Sequence, residues 1–398
     1  MYATATRRSR SVPFSTRPGI GERLGIPYMD PLLLLAAVAL AAFSIFTLAE
    51  ATLHDVPGSP YYYVERQSIY AGLGLLGLFL LTQIDYSRFR ELRVGIYTLM
   101  FASIGLVFLF GAAARGSRRA FNLPFFNFQP AELGKVLLII ALAGFVIDGA
   151  RRGSPRQRTA RYLLLGLAPA ALIFLQPDLG TSLVFGVVTL AVMFLAGVRW
   201  SHFLAIAAGI AVMVTAVLVV APAVGTPVLK GYQEQRLTSF LHPSRDPRDA
   251  GYQQKQATIA IGSGEKTGRG DQATQTRLDF VPERTTDFIF AVVGERFGFL
   301  GAAFVLSLFA LLIWRALRIV TLSKNLYGTL VAGGITAMLM FQVFVNVGMS
   351  LGIMPITGIP LPLMSYGGSS VLATFLAIGV LESVHMHARL SQKSRDFY

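Results

Sequence analysis

The sequence contains no cysteine and few histidines. The absence of cysteine excludes disulfide bonds, thiolate nucleophiles and metal sites built on cysteine. The five histidines are scattered along the chain, and His385 and His387, which are two positions apart, do not share a helix face. A histidine metal cluster is therefore not expected.

Charge is also scarce. Charged residues make up 14% of the 398 residues, whereas 54% are hydrophobic, and the mean hydropathy is +0.57. A soluble domain of this size needs more charge to cover its surface. Repeated apolar runs of about 20 residues match the core of a bilayer, where backbone polar groups must be satisfied within helices. The composition predicts an all-α polytopic membrane protein.

Apolar runs divide the chain into ten predicted transmembrane helices, with a long external loop between helices 7 and 8. The runs cover 30–50, 67–84, 93–113, 130–149, 161–176, 181–198, 201–223, 288–314, 327–352 and 367–385. The predicted layout is a basic tail (1–29), helices 1–7 (30–224), the long loop (225–287), helices 8–10 (288–388) and a short tail (389–398).

Basic residues occupy alternate loops, such as "DYSRFRELR" and "DGARRGSPRQRTAR", and both ends of the chain. Because Lys and Arg are enriched in cytoplasmic loops, these loops and both termini are predicted to face the cytoplasm. The N-terminal "TRRSRSVPFSTRPGIGER" is interpreted as an uncleaved tail, since prolines interrupt it and no apolar run follows directly. The net charge of +14 is attributed to topology and anionic lipid. No nucleic-acid module is visible, so no nucleic-acid partner is predicted.

Two loops on the predicted external side also carry basic residues. The arginine loop (111–130) holds Arg115, Arg118 and Arg119, and the long loop (225–287) carries mixed charge. Basic residues kept outside, against the insertion bias, favour an external anion site in the arginine loop. For the long loop, simple exposure of its charges to water is an equal alternative, because long loops escape the bias.

Four motifs carry a resemblance to a known family. They are "GSRRAFNLPFFNFQPAELGK", "QPDLGTS", "YQQKQATIAIGSGEKTGRG" with the following "LDFVPERTTDFIFAVVGERFGFLG", and "NVGMSLGIMPITGIPLPLMSYGGSS". In this order and over nearly its whole length, the chain resembles the SEDS family (shape, elongation, division and sporulation). It resembles most the elongation branch, RodA.

The resemblance implies a function at the bacterial cytoplasmic membrane. Family members polymerise lipid II into glycan strands on the outer side, together with a class B penicillin-binding protein, the transpeptidase that crosslinks them, and other cell-elongation membrane proteins. The family's essential aspartate matches Asp287. Three positions depart from the family pattern: Thr285 replaces a histidine, Ala120 a tryptophan, and Arg296 the second residue of a Glu-Glu pair. These departures put in doubt the roles of the replaced side chains.

The implied chemistry needs a base and a stabiliser of negative charge. A sugar hydroxyl becomes a good nucleophile when a positioned base accepts its proton, and Asp287 is the candidate base. Glu283 is a candidate assistant or metal ligand, and a divalent cation, Mg²⁺ or Mn²⁺, is left open. Alternatively, Asp287 only caps the eighth helix, or cedes that role to the preceding threonines.

The predicted substrate-binding residues surround the leaving diphosphate. Arginine suits bidentate phosphate contacts. Arg118, Arg119 and Lys135 are the predicted clamp, next to a helix N-terminus expected at Pro130. The remaining members of the set are Gln129, Glu132, Asp178 and Ser365.

Structural alternatives exist for several of these residues. Glu132 and Lys135 are spaced for an ion pair within one helix, and Asp178 fits a turn. Glu295 and Arg296 are expected to pair with a neighbouring helix, and the glycines of "MSYGGSS" to allow close helix packing.

Two other functions remain open: a lipid II flippase, and a non-catalytic scaffold of a cell-wall complex. Transporters place ionisable groups near the bilayer midplane and show internal repeats. In this sequence the centres of the apolar runs are nearly free of charge, which favours an enzyme acting at the membrane surface.

Overall fold

The computed structural model describes residues 28–53, 55–114, 117–122, 126–150, 153–216, 250–278 and 280–395. Within these ranges the chain is nearly all helical, and each of the ten predicted apolar runs coincides with a helix. The helices are α1 (Pro31–Ala51), α2 (Tyr62–Thr82), α3 (Ser87–Glu91), α4 (Arg93–Phe110), α5 (Pro130–Gly149), α6 (Pro155–Leu175), α7 (Leu179–Leu195), α8 (Trp200–Thr215), α9 (Ala250–Ser263), α10 (Thr274–Arg277), α11 (Ile289–Leu322), α12 (Leu326–Ser350) and α13 (Gly368–Arg395).

Seven of the described helices are long and apolar enough to cross a membrane: α1, α4, α5, α6, α11, α12 and α13. Helices α7 and α8 are apolar but shorter. Helix α2 has the required length, but Glu65 and Arg66 lie in its first turns. The chain is a multi-pass membrane protein.

Proline sets the start of three of these helices. Pro31, Pro130 and Pro155 are the first residues of α1, α5 and α6. Proline suits this position because its missing N–H is not needed there and its φ angle is already helical. Asp30 caps α1 by accepting the N–H groups of the next turn. The helix start expected at Pro130 is therefore confirmed.

The centre of the bundle is formed by α5, α12 and α13, which are mostly buried. Helix α13 packs on α2 and α5, and α12 packs on α7 and α11. The three central helices carry buried apolar side chains on nearly all of their faces, as helices in the core of a membrane bundle do. The outer helices expose many leucine and phenylalanine side chains, which a bilayer would surround.

Alternate loops meet at opposite ends of the bundle. At one end, Tyr86 contacts Asn325 and Ser383 through hydrogen bonds of 3.3 and 3.2 Å. We call this the Tyr86 end; it contains the described parts of the loops at 83–92, 150–154, 196–199 and 323–325. The Asp287 end contains the described parts of 52–61, 111–129, 176–178, 264–288 and 351–367. This grouping agrees with the predicted alternation of loops.

Helix α11 is interrupted at Gly298, whose φ is 63°. Its 34 residues correspond to about 50 Å, which exceeds a hydrocarbon core of about 30 Å. The segment after α9 satisfies the interrupted backbone: the carbonyls of Glu265 and Lys266 accept N–H groups of α11 at 2.9 and 3.1 Å. Gly268, at φ 87°, lies against the α11 backbone, where a side chain has no space.

Two predicted loops contain regular structure. The long loop includes α9 and α10, and its residues 225–249 lie outside the described part of the chain. The arginine loop forms a three-stranded antiparallel sheet of β1 (Ala112–Ala114), β2 (Ser117–Asn122) and β3 (Asn127–Phe128). These elements are short and lack a clear hydrophobic period, so the sequence alone predicted only loops.

Candidate active site

Asp287 lies in a tight turn directly before α11. The N–H groups of Thr286, Asp287 and Phe288 all point to the carbonyl oxygen of Glu283, at 3.1, 3.1 and 3.2 Å. Helix α11 begins at Ile289, and its N-cap residue is Phe288, which makes no side-chain cap hydrogen bond. Neither Asp287 nor a preceding threonine therefore occupies the N-cap position. The Asp287 side chain is half-buried.

The carbonyl groups of the same turn are held from outside it. The carbonyl of Thr285 accepts the N–H of Tyr366 at 2.8 Å. The carbonyl of Thr286 accepts the hydroxyl of Ser365 at 2.5 Å, and the carbonyl of Asp287 accepts the Asn346 side-chain amide at 2.9 Å. Three consecutive carbonyls are thus bound by residues of the C-terminal motif.

Ser365, predicted to bind substrate, is only 1% exposed. Its hydroxyl donates to Thr286 and accepts the N–H of Leu361 at 2.8 Å. A direct contact with substrate does not fit this burial. The structure instead gives Ser365 a contact that positions the Asp287 turn.

Glu283 adopts a left-handed conformation, with φ 54°. Its half-buried carboxylate accepts the Thr286 hydroxyl at 3.1 Å. The turn therefore carries the carboxylates of Glu283 and Asp287 on a backbone that is hydrogen-bonded both within itself and to its surroundings. The next residue, Arg284, is buried and forms an ion pair of 2.5 Å with Asp55, which ties the turn to the segment after α1.

The predicted residues Gln129, Asp178 and Arg119 meet around the turn at 176–178. Asp178 caps α7 by accepting the N–H of Thr181 at 3.1 Å, and it also accepts the Gln129 side-chain amide at 2.9 Å. Arg119 donates to the carbonyl of Gln176 at 3.3 Å and to that of Pro177. The Arg118 side chain lies outside the described part of the structure.

The 176–178 turn and the Asp287 turn flank a common segment, Thr357–Ile359. A Cβ atom built on Gly180 would lie 2.5 Å from the Thr357 carbonyl oxygen, so α7 packs directly on this segment. A Cβ atom on Gly358 would lie 3.5 Å from Oδ2 of Asp287. The turns that carry Asp178 and Asp287 therefore adjoin one segment, although the sequence separates the two residues by over a hundred positions.

Glu132 and Lys135 form the ion pair that their spacing predicts. The ammonium of Lys135 lies 2.8 Å from the carboxylate of Glu132, and both side chains are buried in the first turns of α5. A buried pair of this kind must be kept intact, because removing one partner leaves an uncompensated charge. Neither residue exposes its charged group at the surface of this structure.

The structural alternatives for Glu295 and Arg296 are confirmed. Glu295 is fully buried and accepts the N–H groups of Gln275 and Thr276, both at 2.8 Å. Arg296 pairs with Glu50 of α1 at 2.9 Å and with Asp271 at 3.1 Å. Among the "MSYGGSS" glycines, Gly368 packs closely against aromatic side chains, as predicted.

The described residues contain no preformed metal site, because no three of their histidine or acidic side chains are arranged to hold an ion. Magnesium is commonly bound by one or two carboxylates together with substrate phosphates. Glu283 and Asp287 offer such carboxylates, so the donor set fits a cation that arrives with a diphosphate. The cation itself remains a prediction.

Two buried amides of the site were not among the predicted residues. Asn346 lies near the end of the apolar run 327–352, in the last turns of α12, and is 0% exposed. Gln67 donates to the Ser365 carbonyl at 3.2 Å and accepts the N–H of Gly367 at 3.4 Å. A polar residue within an apolar run is a sequence signal for a functional position, and that signal was available for Asn346. Gln67 starts its run directly after two charged residues, so it does not stand out in the sequence.

The chain is similar to known proteins in both sequence and structure. The model of the FtsW, RodA and SpoVE family, described as cell cycle protein, matches residues 28–390. The peptidoglycan glycosyltransferase MrdB of Escherichia coli (strain K12) is 35% identical over 368 residues, which cover 92% of this chain and 96% of that protein.

Solved structures show the same similarity. One is a chain from a peptidoglycan synthase complex that coordinates polymerization and crosslinking. Its structure matches this chain with a TM-score of 0.77 and 34% sequence identity, and the match covers 90% of this chain and 98% of that one. The rod shape determining protein RodA of Thermus thermophilus has a TM-score of 0.64 and 31% identity, over 90% and 96% of the two chains.

Proposed function

The chain belongs to the FtsW, RodA and SpoVE family and is a peptidoglycan glycosyltransferase; we propose that it polymerises lipid II with Asp287 as its general base. The observation that supports this assignment of the base is the Asp287 turn, whose three amides and three carbonyls are all hydrogen-bonded. A base must be held in place to be effective, and a positioned base contributes about 10²–10⁴-fold to a reaction rate.

The proposed step joins two lipid-linked sugars. The 4-hydroxyl oxygen of the acceptor GlcNAc forms a bond to the anomeric carbon of the donor MurNAc, while the bond from that carbon to the undecaprenyl pyrophosphate breaks. The hydroxyl proton passes to the Asp287 carboxylate, and the electron pair of the broken bond leaves with the pyrophosphate. One carboxylate suffices, since pyrophosphate departs without being protonated by a second acid.

Negative charge on the leaving group requires a cationic surface. We assign this role to Arg118 and Arg119 of the arginine loop. Arg119 is half-buried and its guanidinium holds the 176–178 turn, so in this proposal it orders the pocket as well as adding positive charge. Lys135 contributes less, because its charge is compensated by Glu132 at 2.8 Å.

A divalent cation would supply further charge neutralisation at the diphosphate. Glu283 is the residue proposed to hold it. We infer that the Asp287 end faces the outside of the cytoplasmic membrane and that both termini face the cytoplasm. The loops of the Tyr86 end support this orientation, since they carry the basic residues Arg88, Arg90, Arg199 and Lys324.

The partner in this proposal is a class B penicillin-binding protein, and the process is cell elongation. The similarity to a chain from a complex that combines polymerization and crosslinking supports such a partner. The similarity to RodA and MrdB supports the elongation role over division or sporulation.

The decisive experiment uses the purified full-length protein in liposomes with lipid II, with and without a class B penicillin-binding protein. We expect glycan polymer from the wild type and none from Asp287→Asn. Movement of lipid II between leaflets without polymer would instead indicate a flippase. No reaction with the protein alone or with its partner would indicate a scaffold, and normal polymerisation by Asp287→Asn would exclude this residue as the base.

A further inference from the structure

The backbone of the Asp287 turn is held by three donors that come from two distant parts of the C-terminal region. Tyr366 and Ser365 belong to the segment before α13 and bind the carbonyls of Thr285 and Thr286. Asn346 belongs to α12 and binds the carbonyl of Asp287 itself. Of the three, Asn346 makes the contact nearest to the proposed base.

Asn346 also binds a second segment of the site. Its side-chain nitrogen donates to the Ile359 carbonyl at 2.8 Å as well as to the Asp287 carbonyl at 2.9 Å. The intervening Gly358 lies beside the Asp287 carboxylate. One amide group therefore sets the spacing between the turn that carries the base and the Thr357–Ile359 segment that packs on α7.

The chemistry of these two contacts fixes which end of the amide is used. Both partners are carbonyl oxygens, so only the NH₂ group can bind them. The amide oxygen is buried and has no hydrogen-bond partner among the described residues. Within the described residues the amide thus acts only as a donor, so a side chain without an NH₂ group at this position loses both contacts.

We propose that Asn346 is a positioning residue for the glycosyl transfer: by donating to the carbonyls of Asp287 and Ile359, it holds the Asp287 carboxylate at the distance that the incoming acceptor hydroxyl requires. This inference rests on the proposed function of Asp287. It concerns the rate of the chemical step rather than the binding of lipid II, because Asn346 is fully buried.

The test compares isosteric amide-to-acid changes at two buried positions of α12. Asn346→Asp keeps the shape but, when ionised, has no donor for either carbonyl. Gln342→Glu is the matched control, since Gln342 is 2% exposed and makes no hydrogen bond to either segment among the described residues. Asn346→Ala removes the donors without adding charge. The steady-state kinetics of lipid II polymerisation are measured for each full-length variant in liposomes.

We expect the kcat of both Asn346 variants to fall by about 100-fold with KM within about threefold, because a displaced catalytic group slows chemistry more than it weakens binding. The folded fraction of Gln342→Glu should keep kcat within about threefold. Thermal unfolding and size-exclusion profiles report the folded fraction. A normal kcat for folded Asn346→Ala, or a rise in KM alone, would overturn the proposal.

Two further outcomes separate this inference from the proposed function. If Asp287→Asn still polymerises lipid II, the base assignment fails whatever Asn346 does. If Asp287→Asn is inactive while both Asn346 variants react normally, only the positioning role is lost. Failure of both Asn346 variants to fold, with Gln342→Glu folded, would assign Asn346 to stability and overturn the positioning role.

Discussion

The two ends of the bundle use polar side chains in different ways. At the Tyr86 end they join helices through ion pairs: Arg315 of α11 binds Asp30 at 2.8 Å, and Arg90 binds Asp148 of α5 at 2.6 Å. Single donors bind backbone carbonyls at both ends, as the Ser383 hydroxyl does at the Ile84 carbonyl, at 2.6 Å. At the Asp287 end, beside ion pairs such as that of Arg284, three donors converge on consecutive carbonyls of one turn. The first arrangement joins helices, whereas the second holds the proposed base in place.

The largest expected effect is a loss of activity without a loss of stability. Asp287→Asn keeps the shape of the side chain but removes its ability to accept a proton as a carboxylate. We expect polymerisation to fall at least about 10³-fold, in the range of losses caused by removing a positioned base, while the thermal unfolding temperature stays near that of the wild type. Polymerisation and thermal unfolding of the same preparation measure both quantities.

A corresponding change at the Tyr86 end should affect stability instead. The Asp30 side chain is 0% exposed and its partner Arg315 is 8% exposed. Asp30→Ala leaves the guanidinium buried without this carboxylate and also removes the cap of α1. Breaking such a pair costs about 3–5 kcal/mol of unfolding free energy, and losing a cap costs about 1 kcal/mol. Chemical unfolding in detergent measures the loss. The folded fraction should polymerise lipid II normally, and a specific loss of activity there would contradict the division between the two ends.

The part of the fold that could be predicted from the sequence is the set of helices, because these depend only on the length of the apolar runs. Each apolar run became a helix because the bilayer leaves no other way to satisfy its backbone. The small sheet at 112–128 and the interruption of α11 at Gly298 were not predicted. They depend on contacts between distant segments, such as that of Gly268 with the α11 backbone, which no local pattern reveals.

The site was predicted unevenly. Asp287, Asp178 and Gln129 were identified through motifs, and the structure brings all three to the same end of the bundle. The use of Arg119 to hold the carbonyls of Gln176 and Pro177 was not predicted, since a charge pattern does not show which acceptor a guanidinium meets.

Arg119 should show an intermediate effect. Arg119→Ala removes the donors to two carbonyls of the 176–178 turn and one positive charge, and hydrogen bonds from charged groups contribute about 1.5–3 kcal/mol. We expect kcat/KM for lipid II to fall by about 10–100-fold. Arg119→Lys should recover only part of this loss, because an ammonium lacks the planar fork of donors. Full activity of the lysine variant would show that charge alone matters at this position.

The smallest effect is expected at the exposed pair of the Tyr86 end. The Arg90 side chain is 45% exposed, and Asp148 keeps a second partner, Arg93, at 2.6 Å when Arg90 is removed. Exposed ion pairs are screened by water and salt, so Arg90→Ala should change the unfolding free energy by less than about 1 kcal/mol. The difference should shrink further at high salt. A loss of unfolding free energy as large as that of Asp30→Ala would contradict this prediction. It would show that exposure to solvent does not decide how much an ion pair at the Tyr86 end contributes to stability.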